Sequence, residues 1–169
     1  MLHFRQNSGF TLIEVIVVVS LISIILFFSM PRFQNYILLD ETKKVSRWII
    51  GKVNMLKDNS VLKKQLYILH ASLDNNRLWS TSEPMTPEEL KNAEQKAYEL
   101  PGKVKLLDIE YVGKGKISFG EAEICFYKNG YSDKVFIHIE DNENKRLSFL
   151  IEPFLSKVRL FEHYEDFED

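Results

Sequence analysis

In 169 residues there is one cysteine, Cys125. A single thiol makes no disulfide within the chain and no cysteine-based zinc site. Cys125 sits in "AEICFYKNG", among apolar and aromatic neighbours, and is read as a small buried core residue. Histidine is sparse as well. His3, His70, His138 and His163 are scattered, and none falls in an HExxH or another metal-ligand spacing. There is no GxSxG elbow, Walker loop or GxGxxG turn. These absences exclude the recognisable catalytic classes, so the reading is a non-enzyme with no cofactor, no metal and no small-molecule substrate. A dominant charge is missing too. The 22 Lys and Arg against 24 Asp and Glu leave a net charge of −2. No global basic field points to nucleic acid.

The most informative absence is local. From Phe10 to Met30, "FTLIEVIVVVSLISIILFFSM", the one ionisable side chain is Glu14, and no Lys or Arg is present. As a helix this segment spans about 31 Å, the thickness of a bilayer's hydrocarbon core. Its serines and threonine can bond back to helix carbonyls, which makes them tolerable in lipid. The reading is a transmembrane helix over residues 10–30. The preceding "MLHFRQNSG" has Arg5 and the amino terminus as positive charges and no acid. The positive-inside rule keeps that flank in the cytoplasm and sends the C-terminal part outward. A cleaved secretory signal is disfavoured, because the apolar run is long and "FFSMPRF" has no A-x-A-like site. An uncleaved signal anchor accounts for the length and orientation, but not for Gly9 or Glu14.

An ionised acid deep in a membrane costs roughly 2.5–3.5 kcal/mol, and less near a helix start. Glu14 still needs a partner. Cleavage between Gly9 and Phe10 would create an α-amino group four residues before it. That cation could pair with its own Glu14 or with a neighbour's.

"GFTLIEV" resembles the signature of type IV prepilins, shared by pilins and by the pseudopilins of type II secretion. The resemblance covers roughly Ser8 to Pro31. It implies cleavage after Gly9 by the prepilin peptidase and N-methylation of Phe10 as the new terminus. It also implies that Glu14 pairs with the Phe10 amine of an adjacent subunit during filament assembly. Pro31 stands where pilin helices bend or loosen.

After Pro31, apolar residues Phe33, Ile37, Val45, Trp48, Ile49, Val53 and Leu56 recur near helical spacing. An amphipathic continuation of the helix is expected over residues 31–59, its stripe packed on the domain's own sheet. Gly51 inside it is a candidate close-packing point. "QLYILHASL" reads as a strand, and Thr86, Pro87 and Glu89 predict a capped exposed helix over about 87–98. "PGKVKLLDIEY" reads as a turn and a strand. In "EICFYKNGYSDKVFIHI" the Asn129-Gly130 pair is a tight-turn signal between two β-prone runs. Val135, Ile137 and Ile139 alternate with Phe136, His138 and Glu140, which leaves His138 on the outward phase as a surface or edge residue. "RLSFLIE" turns Leu147, Phe149 and Ile151 inward, and "KVRLFEH" supplies a last strand. The acidic tail "EHYEDFED" reads as a solvated, frayed terminus.

The expected fold class is α+β. A long N-terminal helix, transmembrane then amphipathic, packs on antiparallel β-sheets of a β-rich domain over residues 60–169, after a leader at residues 1–9. "LPGKVKL", "FYKNGYSD" and "LSFLIEPFLSKVRL" resemble the C-terminal domain of minor pseudopilins of the H type and of the related FimT and FimU minor pilins. Where that pattern often has glycine after the penultimate strand, this chain has "PFLSKV". The calcium loop of the major pseudopilin cannot be placed here. The resemblance implies a pilin-like fold, an inner-membrane anchor with a periplasmic domain, and other pseudopilins and the prepilin peptidase as partners. A minor type IV pilin, priming a pilus or serving adhesion or DNA uptake, is the alternative. Loss of Arg5 with the leader leaves 21 basic against 24 acidic side chains, or −3. With acids crowded at the end, that balance opposes DNA binding.

Overall fold

The computed structural model describes the backbone of residues 11–167 and the side chains of residues 11–25 and 41–167. Leader residues 1–9, Phe10, and the side chains of Phe33 and Ile37 lie outside the described residues. The chain divides into two compact units, Met1–Ile37 and Leu38–Asp169.

The first helix, α1, is Leu12–Lys63. In the first unit its described residues, up to Ile25, are all exposed. They include Leu12, Ile13, Val15, Ile16, Val17, Val18, Val19, Leu21, Ile22, Ile24 and Ile25. The hydroxyls among them turn back on the helix. Ser20 Oγ donates to the Ile16 carbonyl and Ser23 Oγ to the Val19 carbonyl, both at 2.8 Å. This local bonding leaves the helix exterior apolar. Among the described residues, no helix is long and apolar enough to cross a membrane. Residues 11–25 alone fall short of the about 20 residues that a span needs.

The second unit holds the rest of α1 and two antiparallel sheets. The elements after α1 are β1 (Tyr67–Ser72), β2 (Arg77–Ser82), α2 (Pro87–Gln95), β3 (Tyr98–Glu99), β4 (Val104–Tyr111), β5 (Gly115–Ile117), β6 (Glu121–Phe126), β7 (Val135–Asp141), β8 (Arg146–Ile151) and β9 (Arg159–Phe161). The first sheet has the order β3-β2-β1-β6 and the second β5-β4-β7-β8-β9. The α1 stripe Val45, Ile49, Val53 and Leu56 is fully buried. It joins Leu69, Ala71, Leu78 and Ile124 of the first sheet and Ile109, Ile137, Ile139, Phe149 and Ile151 of the second in one hydrophobic cluster. The inward phases expected for β7 and β8 are the observed ones.

The expectation for Gly51 is corrected, and the fold adds two features to the reading. The Asn129-Gly130 turn forms, with Gly130 at a φ of +86° and its N–H on the Tyr127 carbonyl. It does not close a hairpin within one sheet. β6 pairs with β1 and β7 with β4 and β8, so the turn carries the chain from one sheet to the other. Gly51 is exposed, and a Cβ placed there meets nothing within 4 Å, so it is no close-packing point. β2 supplies inward Leu78 and outward Trp79, the latter stacked on His70 at 5.1 Å.

The helix over 87–95 begins as its residues dictate. Thr86 Oγ1 accepts from the Glu89 N–H at 3.3 Å, while the Glu89 carboxylate accepts from the Thr86 N–H at 2.8 Å. Both orphan donors of the first turn are thereby satisfied. The hydrogen bonds hold the Glu89 carboxyl below its ordinary range.

Candidate functional site

Of the three residues that carry the amino-terminal motif, Gly9 and Phe10 lie outside the described residues. Glu14 stands in the first turn of α1, exposed. Its side chain has a local partner that the sequence reading did not consider. Glu14 Oε2 accepts from the Thr11 N–H at 3.4 Å, and Thr11 Oγ1 accepts from the Glu14 N–H at 3.4 Å. This is the same reciprocal box as Thr86 and Glu89, at longer distances. Thr11 and Glu14, three residues apart, carry its signature in "TLIE". A carboxylate at a helix start is also favoured by the helix dipole. The carboxylate is thus held at the start of α1 and is exposed.

A second set of polar residues is brought together far along the chain. In the outer face of the second sheet, Asp108, His138 and Ser148 are register partners on β4, β7 and β8. A β-bulge between Leu106 and Asp108 sets this phase, turning Asp108 and Glu110 outward while Ile109 stays in the core. His138 is 0% exposed. The expectation of a surface or edge histidine is therefore wrong. β7 is the central strand of the sheet, and the C-terminal segment covers its outer face.

That segment is held by specific side-chain and main-chain contacts, which corrects the reading of a frayed tail for residues up to 167. His138 Nδ1 lies 2.7 Å from Asp108 Oδ1, and His138 Nε2 lies 2.6 Å from the Glu165 carbonyl oxygen. In its doubly protonated form the ring donates to both. Ser148 Oγ donates to the His163 carbonyl at 2.8 Å and accepts from the Glu165 N–H at 2.9 Å. Tyr164 stacks on His138, ring centres 4.2 Å apart, and its hydroxyl donates to Asp108 Oδ2 at 3.0 Å. Phe167 packs on Phe136 at 4.6 Å. Lys116 reaches Asp166 Oδ2 at 3.1 Å. Burial pushes the Glu110 carboxyl up, against the pull of Lys116 and of the Phe167 N–H. The signals in the sequence were the aromatic spacing of Phe161, Tyr164 and Phe167 in an acidic tail, and "LLDIE", where two leucines break the alternation.

Cys125 is also corrected. It is free and half-buried, on the outward phase of β6 between Glu123 and the inward Phe126. Burial pushes its thiol pKa up, and the nearby Asp133 carboxylate adds to this. Asp133 ties the sheet-crossing turn to β6 by accepting from the Cys125 N–H at 2.8 Å.

Comparison with known proteins gives two findings. Residues 4–30 match the prokaryotic N-terminal methylation motif, which takes in Gly9, Phe10, Thr11 and Glu14. No curated protein matches the sequence. Among solved structures, the fold is similar to two structures of the minor pseudopilin EpsH from the type 2 secretion system of Vibrio cholerae. One has a TM-score of 0.53 and 15% identity, covering 75% of this chain and 99% of that one. The other has a TM-score of 0.52 and 16% identity, covering 75% and 97%. The chain thus carries the methylation motif at its amino terminus, and its α+β fold is similar to that of EpsH.

Proposed function

We propose that this chain is a minor pseudopilin, a structural subunit of a type II secretion pseudopilus, and acts by assembly rather than by catalysis. The observation that carries the proposal is the conjunction in one chain of the methylation motif at residues 4–30 and an EpsH-like fold. In this reading prepilin peptidase cuts after Gly9, and Phe10 becomes the N-methylated terminus. The segment 10–30 anchors the chain in the inner membrane with the β-rich domain in the periplasm. The apolar surface of residues 12–25 then packs against the same segments of other pseudopilins. Small and hydroxyl-bearing positions and dispersion contacts hold such helices together in lipid. Glu14 supplies the counter-charge for the Phe10 amine of an adjacent subunit.

The alternative, a minor type IV pilin, uses the same amino-terminal chemistry. A clean deletion in the native host, scored together for exoprotein release and surface pili, decides between them. Exoproteins trapped in the periplasm with pili intact is the expected outcome. Lost pili with normal secretion identifies a minor pilin instead.

The box between Thr11 and Glu14 sharpens the test of Glu14. Glutamine fits a capping box as glutamate does but carries no charge. Glu14→Gln and Glu14→Ala are both expected to be cleaved normally and to be lost from complexes with partner pseudopilins. If Glu14→Gln co-purifies as the unaltered chain does while Glu14→Ala does not, the carboxylate serves the helix start and not the amine.

A further inference from the structure

The hydrogen bonds that His138 and Ser148 make to residues 163–167 are all to main chain. The side chains that the sheet receives are the two aromatic rings, the Tyr164 hydroxyl on Asp108 and the Asp166 carboxylate on Lys116. His138 takes the Glu165 carbonyl, and Ser148 takes the His163 carbonyl and the Glu165 N–H. The two rings settle on side chains that the sheet presents, Tyr164 on His138 and Phe167 on Phe136. Charges of both signs surround them, with Arg146 paired to Glu140 at 2.7 Å and Lys116 lying 4.0 Å from Glu110. Lys116 lies 4.9 Å and Arg146 5.7 Å from the Tyr164 ring centre, and Lys134 lies 5.1 Å from that of Phe167. Lys116 also pairs with Asp166. Beside Phe167 the same face stays open as a cavity of about 370 Å³, lined by Phe136, Leu150, Arg159 and Phe161 among others.

Two further facts separate this segment from the fold proper. No residue of 163–167 belongs to the hydrophobic cluster that joins α1 to both sheets. Ser148 and His138 are each fully buried polar groups on central strands, an expensive placement for side chains whose only task is to face a core. The Ser148 hydroxyl and the Nε2 of His138 are spent on a segment that follows the last strand, while Nδ1 holds Asp108.

We propose that Asp108, His138 and Ser148, with Phe136, form a peptide-binding groove on the outer face of the second sheet, occupied in cis by the chain's own residues 163–167. Its ligand class is an extended peptide with aromatic side chains three residues apart and an acid just before the second. Main-chain recognition fixes the register, the two aromatic seats give the spacing, and Lys116 receives the acid. The resident segment acts as a displaceable latch, and a partner subunit carrying such a segment is the ligand that would replace it. The proposal stands independently of the secretion or pilus assignment.

Two experiments test it. In the first, the full chain in detergent is followed by amide hydrogen exchange. Ser148→Ala should speed exchange across residues 163–167 by about tenfold or more, the scale set by losing a buried hydrogen-bond partner. β7 and the core of β4 should be unchanged, and Ser148→Thr, which keeps the hydroxyl, should restore protection. Equal acceleration of tail and strands, or none in either, overturns the latch. In the second, the chain is ended after Glu162 and offered a synthetic peptide of residues 163–167. The shortened chain should fold, bind the peptide and regain the lost protection, whereas the full chain should bind it far more weakly because its groove is filled. A shortened chain that does not fold makes the tail an integral layer, and a folded one that ignores the peptide has no groove. Either result refutes the proposal.

Discussion

At the scale of single residues, the energetic consequences follow from environment more than from residue type. Gly51 faces solvent in the middle of a helix with open space where its Cβ would be. Gly51→Ala should therefore raise stability by about 1 kcal/mol, the propensity difference between the two. Thermal denaturation reads this as a higher midpoint. His70 shows the opposite case, a polar residue shaped by its neighbours. It stacks on Trp79 and bonds Thr81 Oγ1 at 2.8 Å. Burial holds its imidazole below the ordinary value, against weaker upward pulls from Glu123, Glu121 and Glu94. The native ring thus resists the proton more than the unfolded one does. Its contribution to stability is present above the unfolded pKa, about 6.5, and is lost as pH falls through the lower native value. His70→Gln should flatten the fall in stability between neutral pH and about pH 5. A fall just as steep in the variant would show that His70 is not responsible.

Among the elements, the ones legible in the sequence were those whose alternation or caps are local. Thr86, Pro87 and Glu89 announced α2, and the box formed. Thr86→Ala should cost about 1 kcal/mol of helix stability, seen as faster amide exchange in residues 87–95. Because no residue of α2 is buried, the global unfolding midpoint should barely move. The α1 stripe and the inward phases of β7 and β8 were legible for the same reason: period and burial coincide. What was not legible depended on partners distant in sequence. His138 lies on the polar phase of β7, and only the tail packed above it makes that phase buried. Asn129-Gly130 marks a turn, but nothing in those residues says which sheet receives the next strand. Cys125 has apolar neighbours in sequence, yet strand phase turns it outward with Glu121 and Glu123. The Thr11 and Glu14 pattern was readable as a helix start. It was overlooked because the lone acid in an apolar run drew attention to charge.

For the molecule as a whole, one hydrophobic cluster spans helix and both sheets, so large core changes should act globally. Ile49→Ala, at a fully buried α1 position facing that cluster, should cost about 2–5 kcal/mol. That is a large share of the 5–15 kcal/mol typical of a domain. Loss of both sheets together in circular dichroism and exchange is the expected signature, and selective loss of one sheet would show that the layers are separable. The candidate assembly site was legible at the amino terminus because its chemistry is linear, a glycine, an aromatic and an acid in fixed order. The latch face was not, because its parts come from β4, β7, β8 and the last residues of the chain.

The sheet-crossing turn has a consequence for the order in which the chain can fold. β1 finds a partner at once in β2, and β4 in β5, but the other edge of β1 waits for β6, some fifty residues later, and that of β4 waits for β7. Passing directly from β6 to β7 means that the first sheet is completed just as the central strand of the second becomes available. A chain growing from its amino terminus thus has no closed core until residues 121–151 have emerged. Pairings of such long sequence separation are slow to form. Nascent chains ending before residue 121 should be protease-sensitive throughout, and those reaching residue 162 resistant. Such a domain stays thread-like while it is being delivered and becomes solid only near the end.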